Sequence, residues 1–155
     1  MNHDWYAYKK RDHFQIKCAL LGITYLEDES VTINGIKFYG TPWVTKFYDW
    51  AFMKYDQDLS KIWNKIPTDT DVLLSHGPAY GYLDKVQRGN VGSKTLETYI
   101  NSLPSLRYHI FGHIHEGCNQ EIRTHSLRRI NASCLDEGYR QINDGRVINI
   151  TKELK

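Results

Sequence analysis

Two short apolar runs, each ending in histidine, constrain the fold of this 155-residue chain most strongly. The run 71–75 leads into His76, and the run 108–111 leads, after one glycine, into His113 and His115. Nearly continuous apolar runs of this length are typical of strands buried on both faces. Because ligands of open α/β sheets gather outside the carboxyl ends of strands, we expect these histidines to lie at one edge of a sheet.

The spacing of His113 and His115 indicates a metal site. In an extended segment both side chains point the same way while Ile114 points back to the core, so two imidazoles can converge on one metal ion or on two adjacent ones. For each histidine the alternative of a packed or exposed side chain stays open. Three other histidines lack such a context and are interpreted as structural or solvated, namely His13, His109 and His125.

Helical periodicity appears in three places. Apolar residues at positions 59, 62, 63 and 66 predict an amphipathic helix over 58–66, which Pro67 ends. A second helix is predicted from Ser93, as its N-cap, to the residue before Pro104. A shorter turn of helix is predicted over 47–51, through two aromatic residues.

The pair Asn34-Gly35 predicts a β-hairpin, since a two-residue type I′ turn requires positive φ at both positions. This register sets residue 33 opposite 36 and residue 31 opposite 38, with all four on one face, so we expect the hairpin to be half buried through that face. Two further strands are predicted at 129–131 and 147–150. Strands interleaved with helices early in the chain and strands alone late indicate a layered α/β domain.

Composition supports one soluble domain over residues 1–155. Hydrophobic residues make up 41% and charged residues 25% of the chain, which argues against disorder. No run is long and apolar enough to cross a membrane and no signal peptide is visible, so we expect a cytoplasmic protein. A net charge of +2 is too small to imply nucleic-acid binding. The three cysteines lack CxxC spacing and are expected to be reduced.

Three motifs together resemble successive motifs of the calcineurin-like metallophosphoesterases, in the same order and spacing. They are Asn2-His3-Asp4, Ser75-His76-Gly77-Pro78 and Gly112-His113-Ile114-His115. The segments 25–30, 40–43, 47–52 and 131–133 are similar to one branch of that family, so the resemblance covers nearly the whole chain. It implies an α/β fold of the α/β/β/α sandwich type.

The resemblance also implies phosphoester hydrolysis with two divalent metal ions. By motif position, Asn2, His76 and His113 resemble ligands of one metal and His115 a ligand of the other. Mixed nitrogen and oxygen ligands suit Mn, Fe, Zn or Ni. Two such cations clamp the phosphoryl oxygens and convert a water into a hydroxide nucleophile.

Two further roles and one departure follow from the same comparison. His3 resembles the histidine that faces the leaving-group oxygen, and Asp4 a residue that orients it. Family members carry Asp-x-His and Gly-Asp motifs before the Asn-His segment, and neither motif occurs in the 155 residues. We therefore expect an N-terminally truncated domain without its first strands, and a binuclear site that is incomplete in this chain.

Two function classes stay open. The first is a metallophosphoesterase acting on a small-molecule phosphoester, with no nucleic-acid or membrane partner. The second is a non-catalytic interaction module, or a decayed fragment, of the same fold. The expected loss of strands exposes a sheet edge, which an oligomer or a partner chain would cover.

Overall fold

A six-stranded mixed sheet organises the computed structural model, which describes residues 2–151. In chain order the elements are α1 Trp5–Lys9, α2 Arg11–Leu20, β1 Glu29–Ile33, β2 Ile36–Thr41, β3 Val44–Thr45, β4 Met53–Lys54, α3 Asp56–Trp63, β5 Val72–Ser75, β6 Lys85–Val86, β7 Gly89–Asn90, α4 Lys94–Ile100, β8 Tyr108–Phe111, a 3₁₀ turn His115–Gly117, β9 Glu121–Thr124 and β10 Leu127–Asn131.

The order of strands in the main sheet is β1-β2-β5-β8-β10-β9. The four inner strands β2, β5, β8 and β10 are parallel, whereas β1 and β9 join the two edges in antiparallel pairing. The two predicted buried strands are thus neighbours, and their carboxyl ends meet at the same edge. This confirms an α/β fold with the two histidine motifs side by side.

The Asn-Gly hairpin is confirmed in turn and register. Ile33 pairs with Ile36 and Val31 with Phe38, and φ is +51° at Asn34 and +78° at the following glycine. The predicted burial is only partly correct. Ile36 is buried, but Ile33 is 51% exposed because β1 is an edge strand with no neighbour on its outer side.

Both long predicted helices form and pack together on one face of the sheet. The helix predicted over 58–66 begins at Asp56 and ends at Trp63, and all four of its apolar positions are buried. The helix predicted after Ser93 is α4, and the Ser93 hydroxyl accepts a hydrogen bond from the Leu96 amide at 2.9 Å. These helices cover Tyr39 and Leu73 of the sheet.

The predicted turn of helix over 47–51 is wrong. This segment is a series of bends and turns between β3 and β4, whose parallel pairing fixes both ends of the loop. The backbone amide of Lys46 donates to Lys54 at 2.8 Å, and Phe52 has a φ of +57°, which a helix excludes. The aromatic spacing there reflects rings that line a cleft rather than a helix face.

The predicted strand over 147–150 is also wrong. No strand is assigned to these residues, and Val147 is 94% exposed. The apolar residues there are not buried against the sheet, so their spacing reports no strand. The last strands of the sheet are instead β9, which the sequence pattern did not reveal, and β10, which pairs with β8 on one side and β9 on the other.

Helices α1 and α2 were not predicted, since their apolar residues do not follow a helical stripe. Only Ala7 and Cys18 are buried in them. Aromatic contacts hold them in place, with Phe14 4.8 Å from Tyr25 between ring centroids. Within residues 2–151 no helix has the length and apolar character needed to cross a membrane.

Candidate functional site

The carboxyl ends of β5 and β8 open into a cleft of about 780 Å³. All five residues predicted for the site line this cleft, namely Asn2, His3, His76, His113 and His115. The expectation that the histidines gather at one sheet edge is therefore met. The side chains differ, however, in how closely they approach one another.

Three of them form a close group, which we call the Asn2 cluster: Asn2, His76 and His113. The Oδ1 atom of Asn2 lies 2.9 Å from Nε2 of His76, and the rings of His76 and His113 are 4.8 Å apart between centroids. Asn2 is only 4% exposed, and its backbone carbonyl oxygen accepts a hydrogen bond from the Ala51 amide at 3.0 Å. This burial anchors the start of the described chain in the cleft.

His113 reaches the cluster through a backbone turn rather than through an extended strand. Strand β8 ends at Phe111, and His113 has a φ of +71°, in the left-handed region. Ile114 points into the core, as predicted, and is 5% exposed. The side chain of Asn131 holds the turn in place by donating from Nδ2 to the Ile114 carbonyl at 2.6 Å.

His115 and His3 line the same cleft at its aromatic side. His115 lies 2.7 Å, through Nδ1, from the carbonyl oxygen of Asp136, and its ring meets that of Tyr139 edge-on at 5.4 Å. His3 is exposed and lies 4.5 Å from the ring of Trp50. Across residues 2–151 no three His, Cys, Asp or Glu side chains form a group that could hold a metal ion.

Asp4, predicted to orient His3, has a structural task. Its carboxylate accepts a hydrogen bond from the Ala7 amide at 3.0 Å and so caps helix α1. Capping of this kind stabilises a helix by about 1 kcal/mol. The cap holds the segment that carries Asn2 and His3 against the body of the domain.

Burial keeps the two histidines of the Asn2 cluster neutral. Desolvation, followed by the neighbouring His113, lowers the pKa of His76 to about 2. Desolvation, followed by His115, lowers the pKa of His113 to about 4. Both imidazoles are therefore neutral at neutral pH, which is the charge state that binds metals.

The donors of the Asn2 cluster fit a borderline transition metal. One amide oxygen and two imidazole nitrogens are a mixed set of the kind that Mn, Fe, Zn and Ni accept. The 2.9 Å between Asn2 Oδ1 and His76 Nε2 is a hydrogen bond that Nε2–H donates, since an amide oxygen only accepts. A metal ion bound by both atoms would replace that proton.

An aromatic wall beside the histidines was not predicted as part of the site. Its rings belong to Phe47, Trp50 and Tyr139, and Phe47 lies 5.4 Å from His113. The sequence does not reveal that these rings meet, because a loop and a distant turn supply them. Trp43 also lines the cleft, and Asp28 accepts its indole N–H at 2.9 Å.

No family model matches the chain, but curated proteins are similar to most of its length. The human protein named Metallophosphoesterase domain-containing protein 1 is 35% identical over 147 residues, which cover 92% of this chain and 44% of that protein, and the mouse protein of the same name matches equally. A Caenorhabditis elegans UPF0046 protein is 42% identical over 103 residues, covering 65% of this chain and 26% of that protein.

The fold and the cleft define an α/β protein with a histidine-rich pocket at its strand ends. The similarities to the human and mouse proteins support a metallophosphoesterase family for this chain. The chain spans less than half the length of these relatives.

Proposed function

We propose that this chain contributes to metal-dependent hydrolysis of phosphoesters at the cleft formed by β5 and β8. The observation that carries the proposal is the Asn2 cluster. It brings an amide oxygen and two neutral imidazoles together from three motifs, the first two of which are 74 residues apart in sequence, at the edge where α/β folds bind ligands. The names of the human and mouse relatives favour the same chemistry.

Each site residue has a separate task in this proposal. Asn2, His76 and His113 would hold one divalent metal, and His115 would contribute to a second in a binuclear site. Such ions polarise phosphoryl oxygens and lower the pKa of bound water. His3, which lies at the exposed side of the cleft, would face the leaving-group oxygen and give it a proton or a hydrogen bond.

The proposal extends to substrate, metal and setting. The substrate would be a small-molecule phosphoester, and the metals Mn, Fe, Zn or Ni, in a cytoplasmic protein that binds neither nucleic acid nor membrane. The aromatic wall offers flat apolar surface for the part of the substrate beyond the phosphate. The full domain would have the four-layer α/β/β/α arrangement, with a second copy or another polypeptide covering the exposed edge of the sheet.

One observation favours a second candidate, a non-catalytic interaction module of the same fold. The 155 residues contain neither Asp-x-His nor Gly-Asp, which bridge and complete the binuclear site in the family that the motifs resemble. A scaffold would keep the α/β fold without needing four aligned ligand residues. The two candidates differ in whether hydrolysis accompanies metal binding.

The test compares the 155-residue chain with the longest polypeptide that its gene encodes around it. We expect Mn-dependent hydrolysis of a generic phosphodiester by the form that supplies both missing motifs. We expect the 155 residues alone to turn over far below the roughly 10 s⁻¹ typical of enzymes. His113→Ala should abolish the activity, whereas His125→Ala, in an exposed turn, should not. Absence of hydrolysis from every metal-loaded form would favour the interaction module.

A further inference from the structure

A buried histidine lies beneath the cleft, and the proposed function gives it no role. His109 is fully buried in β8 and does not line the cleft. Its Nε2 atom is 2.8 Å from the hydroxyl oxygen of Ser75, the last residue of β5. Ser75 immediately precedes His76, so this contact reaches the residue before a member of the Asn2 cluster.

The hydrogen bonds of Ser75 fix the protonation of His109. The Ser75 hydroxyl donates its one hydrogen to the Gly77 carbonyl at 2.7 Å, since a carbonyl oxygen can only accept. The contact with His109 must then use Nε2–H as donor and the Ser75 oxygen as acceptor. His109 is therefore the Nε2–H tautomer, with a lone pair on Nδ1.

Burial and Arg129 on the neighbouring strand keep His109 neutral. Arg129 and His109 are register partners in the parallel pair β10–β8, so both side chains lie on the same face. Arg129 is 2% exposed and holds Glu97 through two hydrogen bonds of 2.9 and 3.0 Å. Desolvation of the buried ring, followed by the positive charge of Arg129, lowers the pKa of His109 to about 3 and so disfavours a second proton.

The unpaired atoms on this face are complementary. Nδ1 of His109 is an acceptor and Nε of Arg129 is a donor, and both are buried with no hydrogen-bond partner among residues 2–151. The hydrogen bonds on this face thus form two neighbouring groups, one joining Arg129 to Glu97 of α4 and one joining His109 to Ser75 of β5.

We propose that His109 is a positioning residue for the Asn2 cluster. His109 donates to the Ser75 hydroxyl and so orients that hydroxyl toward the Gly77 carbonyl. These two hydrogen bonds fix the conformation of the turn 75–77, in which the His76 imidazole faces Asn2. The turn requires glycine at position 77, because a Cβ there would lie 2.6 Å from Cγ2 of Val44. The inference rests on the proposed metal site, since it assigns His109 the task of preparing that site.

The first test needs no metal and measures the tautomer of wild-type His109 by NMR of protein labelled with ¹⁵N at histidine. We expect a slowly exchanging proton on Nε2 and none on Nδ1 at neutral pH. A proton on Nδ1 with none on Nε2 would overturn the network, because Ser75 would then have to donate its hydrogen to His109 and could not donate it to Gly77.

The second test measures Mn²⁺ affinity of the 155-residue chain and its variants. Removal of a group that orients a ligand typically weakens metal binding about 10- to 100-fold, so we expect about tenfold weaker binding in Ser75→Ala and His109→Leu. His109→Gln keeps an N–H donor near the Nε2 position and should restore most of the affinity. Equal losses for His109→Gln and His109→Leu would overturn the proposal.

Thr70→Val is the matched control for a role in stability alone. Thr70 is fully buried and its hydroxyl donates to the Pro67 carbonyl at 2.7 Å, but it precedes β5 at the end away from the cleft. It should lower stability without changing Mn²⁺ affinity. If wild-type protein binds no Mn²⁺, the proposed function fails together with this inference. If wild-type protein binds Mn²⁺ and Ser75→Ala binds it equally well, only this inference fails.

Discussion

His113 combines an uncommon backbone conformation with a buried, neutral ring. A left-handed φ costs a non-glycine residue about 1–2 kcal/mol, and such strain persists where surrounding contacts enforce it. Here the side chain of Asn131 donates a hydrogen bond to the carbonyl of Ile114. The amide of Gly112 donates to the carbonyl of His76 at 3.0 Å. The strained turn and the turn after β5 are thus tied to each other, which fixes two members of the Asn2 cluster together.

His109 makes the stability of the domain depend on pH. Its folded pKa of about 3 lies below the ordinary value of 6.5, so the unfolded chain binds a proton that the native chain does not. The free energy of unfolding should therefore fall by about 1.4 kcal/mol per pH unit from this group as the pH is lowered below 6.5 towards 3.

Urea unfolding of wild type and His109→Gln between pH 7 and pH 5 measures this contribution. We expect the variant to lose stability with falling pH less steeply than wild type, by about 1 kcal/mol per unit. Parallel curves for the two proteins would contradict the assignment of a neutral, buried His109.

The sequence predicts an element correctly where the local turn or capping residues and the buried apolar residues both favour the same structure. The hairpin has its register set by Asn34 and the next glycine, and α4 has its start set by Ser93. The residues 47–51 and 147–150 fail for the opposite reason. Their apolar residues line a cleft or face solvent, so apolar spacing does not report burial against the sheet there.

At the same scale, Ser93 joins α4 to α3 and to the core. Besides capping Leu96, its hydroxyl donates to the carboxylate of Asp56 at 2.5 Å. Ser93→Ala should lower the free energy of unfolding by about 1–2 kcal/mol, since it removes a cap and leaves a half-buried carboxylate short of one donor.

Ser102→Ala is the matched control, because this serine also makes one backbone hydrogen bond, at 2.7 Å to Tyr99, but is exposed. Denaturant unfolding should show a change of less than about 0.5 kcal/mol for Ser102→Ala. Similar losses in both variants would show that the cap does not carry the connection between the helices.

For the whole molecule, the parallel order of β5 and β8 is what turns two sequence motifs into one site. The sequence allowed His76, His113 and His115 to be placed at strand ends, because each follows a recognisable apolar run. It could not show that His115 would engage Asp136 instead of joining the Asn2 cluster. Nor could it reveal the aromatic wall, since tertiary packing alone brings residues 47, 50 and 139 together.

The central claim is that the Asn2 cluster is a transition-metal site, and calorimetric titration of the metal-stripped 155-residue chain with Mn²⁺ tests it most directly. We expect about one tightly bound equivalent, because the described residues bring together one set of three donors. His76→Ala and His113→Ala should each weaken binding by about tenfold or more, while His125→Ala should leave it unchanged. Absence of Mn²⁺ binding by wild-type protein, or equal affinity in all three variants, would contradict the account.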